Sequence, residues 1–132
     1  MSTLKLVKES DAQGEVAEAF EQVKEHFGVP NVPNTFRQMA HKPKFLKSLL
    51  EMDKVVFADD ALDSKTKHLM AVAVSAVAGC EYCVLAHTAV AKGLGASDEE
   101  VAESLSVAAV MGAYNNFNKA TALEKDILPQ GK

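Results

Sequence analysis

Leu69-Met70-Ala71-Val72-Ala73-Val74-Ser75-Ala76-Val77-Ala78-Gly79-Cys80-Glu81-Tyr82-Cys83-Val84-Leu85-Ala86-His87 is the stretch that decides the fold. From Leu69 to Ala78 every helical face is apolar, with Ser75 as the single polar side chain. The run is about half the roughly 20 residues a bilayer requires, so it reads as a buried core helix. Gly79 supplies the turn out of it. Beyond the turn, Cys80, Cys83 and His87 recur at intervals of three and four, which stacks side chains on one helical face across about two turns. The stretch is a helix, a glycine turn and a second helix, and it predicts an all-α protein built on a central antiparallel hairpin.

The flanking sequence extends the same pattern. Asp63-Ser64 is a cap candidate for the helix ending at Ala78, and Ser97 with Glu100 has the spacing of a capping box. The helix opened there is expected to reach Phe117, with a short last helix through Ala120-Thr121-Ala122-Leu123 and a frayed tail. Val101, Leu105, Val107, Ala108, Val110 and Met111 leave little of its middle polar. Upstream, Pro43 opens a helix to about Phe57 whose apolar face carries Phe45, Leu46, Leu49, Leu50, Met52, Val55 and Val56. Asn34 is read as the cap of a short helix from Thr35 to about Ala40. A first amphipathic helix runs from Asp11 to Phe27, with Val16, Ala19, Phe20, Val23 and Phe27 inward, and Gly28 and Pro30 stop it. No strand-like alternation, internal repeat or low-complexity tract interrupts this order. One domain over residues 1–132 is expected. Two central helices that are apolar nearly all round are difficult to cover with so few others, so part of their surface is expected to face other subunits.

Composition removes several classes of function. The 132 residues are 48% hydrophobic and 24% charged, the balance of a globular protein. Net charge is −4, with 13 lysines, one arginine and no basic stripe, so no nucleic-acid partner is expected. The N-terminal residues lack the apolar core of a secretory signal and no apolar run spans a bilayer, which predicts a cytoplasmic protein with no membrane partner. In a reducing compartment, a Cys-x-x-Cys pair is more often catalytic, redox-active or metal-binding than a structural staple.

Both cysteines of the chain lie in the Cys80-x-x-Cys83-x-x-x-His87 run. A helix N-terminus favours anions, so a thiolate gains there, and the thiolate is the nucleophilic form. His87 lies one turn beyond Cys83 and is the nearer base, which favours Cys83 as the attacking sulfur and Cys80 as the resolving one. The reverse assignment, with Cys80 attacking, stays open. In an antiparallel hairpin folded at Gly79, His68 comes within about a turn of His87, where it either relays a proton or is a solvated surface side chain. His26 and His41 sit beside turns and read as surface. Met70, Met111, Tyr114 and Phe117 are candidates for the wall of an apolar substrate pocket, although such residues at helical spacing are more often core. No flavin, haem or nucleotide motif is visible, and no cofactor is expected.

The segment Leu62-Asp63-Ser64-Lys65-Thr66-Lys67-His68-Leu69, then Gly79-Cys80-Glu81-Tyr82-Cys83 to His87-Thr88, then Gly95-Ala96-Ser97-Asp98-Glu99-Glu100-Val101, resembles the alkylhydroperoxidase AhpD and carboxymuconolactone decarboxylase family. Val32-Pro33-Asn34-Thr35-Phe36 and Ala40-His41-Lys42-Pro43 resemble its peroxidase-related branch. The resemblance implies an AhpD-like helical protomer assembled as a trimer or hexamer. It implies a dithiol that reduces hydroperoxides, with an external dithiol or a lipoyl- or thioredoxin-type protein as reductant. By the same likeness Cys83 is the peroxidatic cysteine, Cys80 the resolving one and His87 the relay histidine. One departure stands out: the family's relay glutamate falls on His68, which as a neutral ring orients a neighbouring imidazole less strongly than a carboxylate does.

Three rival readings remain. Cys80, Cys83, His87 and His68 make a Cys₂His₂ set of the kind zinc accepts, although three ligands on one helical stripe close a tetrahedron awkwardly. A non-catalytic helical oligomer that uses the dithiol as a redox sensor is the second. A decarboxylase-like or lactone enzyme on the same scaffold is the third, and its members typically lack the cysteine pair.

Overall fold

The structure, a computed structural model, describes residues 2–126, so the expected frayed end of the tail lies outside the described residues from 127 onward. Six α-helices and one 3₁₀ turn, Glu9–Asp11, account for the regular structure, and no strand occurs among the described residues. The fold class is all-α. The chain divides at Ala58 into two compact units.

The first unit holds α1 (Glu15–Phe27), α2 (Asn34–Met39) and α3 (Pro43–Phe57). Ala19, Phe20 and Val23 of α1 close on Leu46 and Leu50 of α3, with Val32 and Ala40 completing a buried core. These are the inward positions of the two amphipathic patterns. The segments between helices are tied down by polar groups. The Glu9 carboxylate accepts from the Val32 amide at 2.8 Å, and the Arg37 guanidinium donates to the Val7 carbonyl at 2.9 Å. Two expectations are corrected here. Asn34 is not the cap of α2 but its first residue: Pro33 takes the cap position with extended backbone, and Asn34 accepts from Arg37 instead. The first helix starts at Glu15, because Gly14 at φ +55° breaks the pattern between the 3₁₀ turn and α1.

The second unit is a three-helix arrangement of α4 (Ser64–Ala78), α5 (Glu81–Gly93) and α6 (Asp98–Thr121). Asp63 caps α4, accepting from the Thr66 amide at 2.7 Å, and Ser97 and Glu100 form the expected capping box on α6. Helix α4 packs against both α5 and α6, and Val72, Ala91, Val101 and Ala108 form the buried apolar positions. The short last helix is not separate. With no Gly or Pro between Phe117 and Thr121, α6 continues to Thr121 and ends at Ala122 in the left-handed conformation. Nor is α4 buried all round, since Met70, Val74 and Val77 stand exposed. No helix among the described residues is long and apolar enough to cross a membrane.

Candidate active site

The hairpin turn sets the position of the first cysteine. Gly79 takes φ +78°, a left-handed conformation that lacks a Cβ penalty only in glycine. There its amide donates to the Ala76 carbonyl, and the Cys80 amide donates to the Ser75 carbonyl at 3.0 Å. These two bonds satisfy the last carbonyls of α4 and close it in a Schellman arrangement. Cys80 leaves this turn as the N-cap of α5, and Cys83 lies in the first turn of that helix. The two sulfurs are joined in a disulfide. The Cys80 sulfur also accepts from the Cys83 amide at 3.3 Å, so the helix-capping hydrogen bond falls on Cys80. Both cysteines are half-buried.

His68 is 5% exposed, which removes the reading of a solvated side chain at the start of a helix. Its Nδ1 lies 3.0 Å from Nδ1 of His87, and the two rings are tilted by 33°. At such a contact one nitrogen donates its hydrogen and the other accepts through its lone pair, so the contact holds a single hydrogen. The hairpin thus joins His68 to His87 as the antiparallel register requires, and α5 places His87 one turn beyond Cys83. His41 is exposed, with Nε2 2.6 Å from the Lys5 carbonyl. His26 differs from the surface expectation. Its ring is half-buried against Phe27 and its Nε2 sits 3.0 Å from the Asp53 carboxylate, because α1 packs on α3 at that level.

Polar links between helix starts brace the hairpin. Lys65 of α4 donates to Glu100 of α6 at 2.8 Å, and this bond raises the lysine pKa above 10.5 and holds the Glu100 carboxyl below 4.5, helped by the Ser97 amide. The Asp63 carboxyl is held below 3.8 by its hydrogen bonds from Thr66, and Asp98 by that from Lys92. The Ser104 hydroxyl donates to the Leu69 carbonyl, fixing α6 to α4 one residue past His68. Sequence reasoning missed Ser104 and Lys65. Their partners lie 35 residues away in the sequence, which gives no local sign of either bond.

An open cavity of about 460 Å³ lies against Cys80 between α4 and α5, with Ala76, Val84, Leu85 and Glu81 in its wall. A second, of about 390 Å³, lies between α4 and α6 beside Asn115 and Asn116. Met70, Met111, Tyr114 and Phe117 line neither cavity and are exposed. Among the described residues no three His, Cys, Asp or Glu side chains come together to hold a metal ion.

The family model for the carboxymuconolactone decarboxylase family aligns with residues 43–126. The chain belongs to that family. The crystal structure of the alkylhydroperoxidase AhpD core from Rhodospirillum rubrum superposes with a TM-score of 0.86 at 29% identity, covering 96% of this chain and 95% of that one. An uncharacterised protein of the cox locus of Paracoccus denitrificans is 45% identical over 83 residues, 61% of this chain and 75% of that protein. The alkyl hydroperoxide reductase AhpD of Anaeromyxobacter dehalogenans is 39% identical over 85 residues, 63% of this chain but only 45% of its own length. The chain therefore spans less than half of that AhpD protein. As a carboxymuconolactone decarboxylase family member with AhpD-like relatives, the chain is related to enzymes of peroxidase and decarboxylase type, and it carries the Cys-x-x-Cys pair.

Proposed function

We propose that the protein reduces hydroperoxides through a dithiol–disulfide cycle at Cys83 and Cys80, with His87 and His68 handling the proton. The observation that carries this reading is the conjunction at the hairpin of a Cys80–Cys83 disulfide with a contact between buried His68 and half-buried His87. In the reduced protein, His87 accepts the Cys83 thiol proton and the resulting thiolate attacks the terminal peroxide oxygen. The O–O bond breaks, the alkoxide leaves with a proton as an alcohol, and Cys83 becomes a sulfenic acid. Cys80, its sulfur already facing the Cys83 amide, attacks the Cys83 sulfur and expels water to give the disulfide. An external dithiol then restores both thiols. The relatives named as alkyl hydroperoxide reductases support this assignment, and the cysteine pair weighs against the decarboxylase reading.

The test is peroxide consumption with a dithiol reductant, using wild type, Cys83→Ser and Cys80→Ser. Cys83→Ser is expected to abolish turnover, while Cys80→Ser removes the internal resolving thiol and leaves only slower turnover, in which the external dithiol itself reduces the Cys83 sulfenic acid. Unchanged turnover in both variants would remove the peroxidase reading and leave the dithiol as a redox sensor. Stoichiometric zinc that shields both thiols from alkylation in freshly purified reduced protein would instead establish the metal site.

A further inference from the structure

The disulfide presents its two sulfurs unequally. The open cavity of about 460 Å³ at the hairpin turn has Cys80 in its wall and not Cys83. Its remaining wall is largely apolar, from Ala76, Val84 and Leu85, and Glu81 supplies its one acidic group. Cys83 sits in the first turn of α5, one turn before the His87 ring that is engaged with buried His68. Which sulfur of a disulfide a thiolate attacks depends on access and on the quality of the leaving thiolate. Access favours Cys80. The departing Cys83 sulfur is released in the first turn of α5, one turn before His87.

We propose that reducing thiols enter this cavity and attack Cys80, and that Glu81 screens them by charge, favouring uncharged thiols over anionic ones. The step rests on the dithiol cycle proposed above, of which it is the reductive half. A donor thiolate forms a bond to the Cys80 sulfur as the Cys80–Cys83 bond breaks, and Cys83 leaves as a thiolate that takes up a proton. The donor's second thiol, as thiolate, then attacks the donor sulfur of the mixed disulfide and releases Cys80 as a thiolate facing the Cys83 amide. The donor is oxidised to a disulfide by two electrons and the protein disulfide is reduced by two. The attacking group is itself an anion, so every donor meets the Glu81 carboxylate. One carrying further carboxylates meets it more strongly, and the apolar wall offers such a donor no compensation.

The test uses oxidised full-length protein with no peroxide present, so that it reads independently of the peroxidase assay. A limiting uncharged monothiol, 2-mercaptoethanol, is added, free thiols are trapped at neutral pH with a large excess of N-ethylmaleimide, and tandem mass spectrometry locates the adduct. The donor is expected on Cys80 and the alkyl label on Cys83, by at least tenfold over the reverse. Second-order rate constants for reduction are then measured with glutathione, which is anionic, and dithiothreitol, which is neutral. Glu81→Lys is expected to raise the glutathione-to-dithiothreitol ratio about tenfold and Glu81→Gln about threefold, with both effects shrinking at high salt. Taking the ratio cancels any change that a substitution in the first turn of α5 makes to helix stability. A donor found on Cys83, or an unchanged ratio in both variants, would overturn the route. Either result leaves the peroxide half-reaction to stand or fall on its own assay.

Discussion

By the resemblance read from the sequence, His68 stands where a relay glutamate is expected, and its geometry defines what that difference would cost. A glutamate at that position would be a fixed acceptor, and in the proposed cycle it would stabilise the imidazolium formed as His87 takes the Cys83 proton. A histidine at 3.0 Å can accept only while its own Nδ1 is free of hydrogen, and a hydrogen on both Nδ1 atoms would set N–H against N–H. Peroxide turnover is therefore expected to rise about tenfold in His68→Glu, equivalent to about 1.4 kcal/mol of barrier. The acid limb of its pH profile should move to higher pH, because a carboxylate stabilises the imidazolium and His87 is then already protonated, and unable to take the Cys83 proton, at a higher pH. Steady-state peroxide consumption across pH checks both, and a loss of turnover in His68→Glu would mean that the imidazole at this position is required. The proximity of His68 to His87 was legible from the sequence, since residues on either side of a glycine turn pair by their distance from it. Its burial was not, because a histidine near a helix start carries no mark of what packs over it. His26 is the same lesson in another place: its Asp53 partner is 27 residues away, and only the packing of α1 on α3 brings the two together.

At the level of elements, the candidate site depends on how α4 ends and α5 begins. Gly79 at φ +78° has open space where a Cβ would stand, so Gly79→Ala meets no clash and its cost is the backbone strain of a left-handed alanine, about 1 kcal/mol. For a chain of this size that lowers the melting temperature by about 4 °C, which thermal unfolding followed by circular dichroism will show. The helix starts add a pH dependence whose sign follows from their carboxylates. Asp63 and Asp98 are held below 3.8 and Glu100 below 4.5 by hydrogen bonds made in the folded chain. Each contributes stability that is present above those ordinary values and is lost as the pH falls through the lower folded-state values. Asp63→Asn keeps a capping oxygen but does not titrate. Its melting temperature should accordingly fall less between pH 7 and pH 3 than that of the wild type. The caps on α4 and α6 were readable in advance because Asp63 and Ser97 act on amides within three residues. The cap of α2 was misread because a proline took the position that Asn34 was expected to hold.

Across the whole molecule the two units differ in how much large apolar side chain they bury. Among the described residues the largest fully buried side chains are Leu46, Leu50, Val23 and Val72, and of these four only Val72 belongs to the second unit. That unit instead leaves Val74 67% and Phe117 71% exposed, with Val107 and Tyr114 of α6 exposed as well. Composition and periodicity identified these helices as apolar all round but could not say which faces a single chain would cover. Apolar exposure of this extent is the mark of a surface that meets another protein, and a second copy of the chain is the partner the sequence anticipated. We therefore expect light scattering after size exclusion to give a multiple of 14.1 kDa, a trimer or a hexamer. Val74→Glu combined with Phe117→Glu should move the mass toward 14.1 kDa. Both side chains are already exposed in the protomer, so the substitutions cost it little, within about 0.5 kcal/mol each, and circular dichroism should remain helical. Burying the introduced carboxylates in an interface would be far costlier, which is what turns a small change in the protomer into loss of assembly. A wild-type mass of 14.1 kDa would show that these faces meet something other than a second copy.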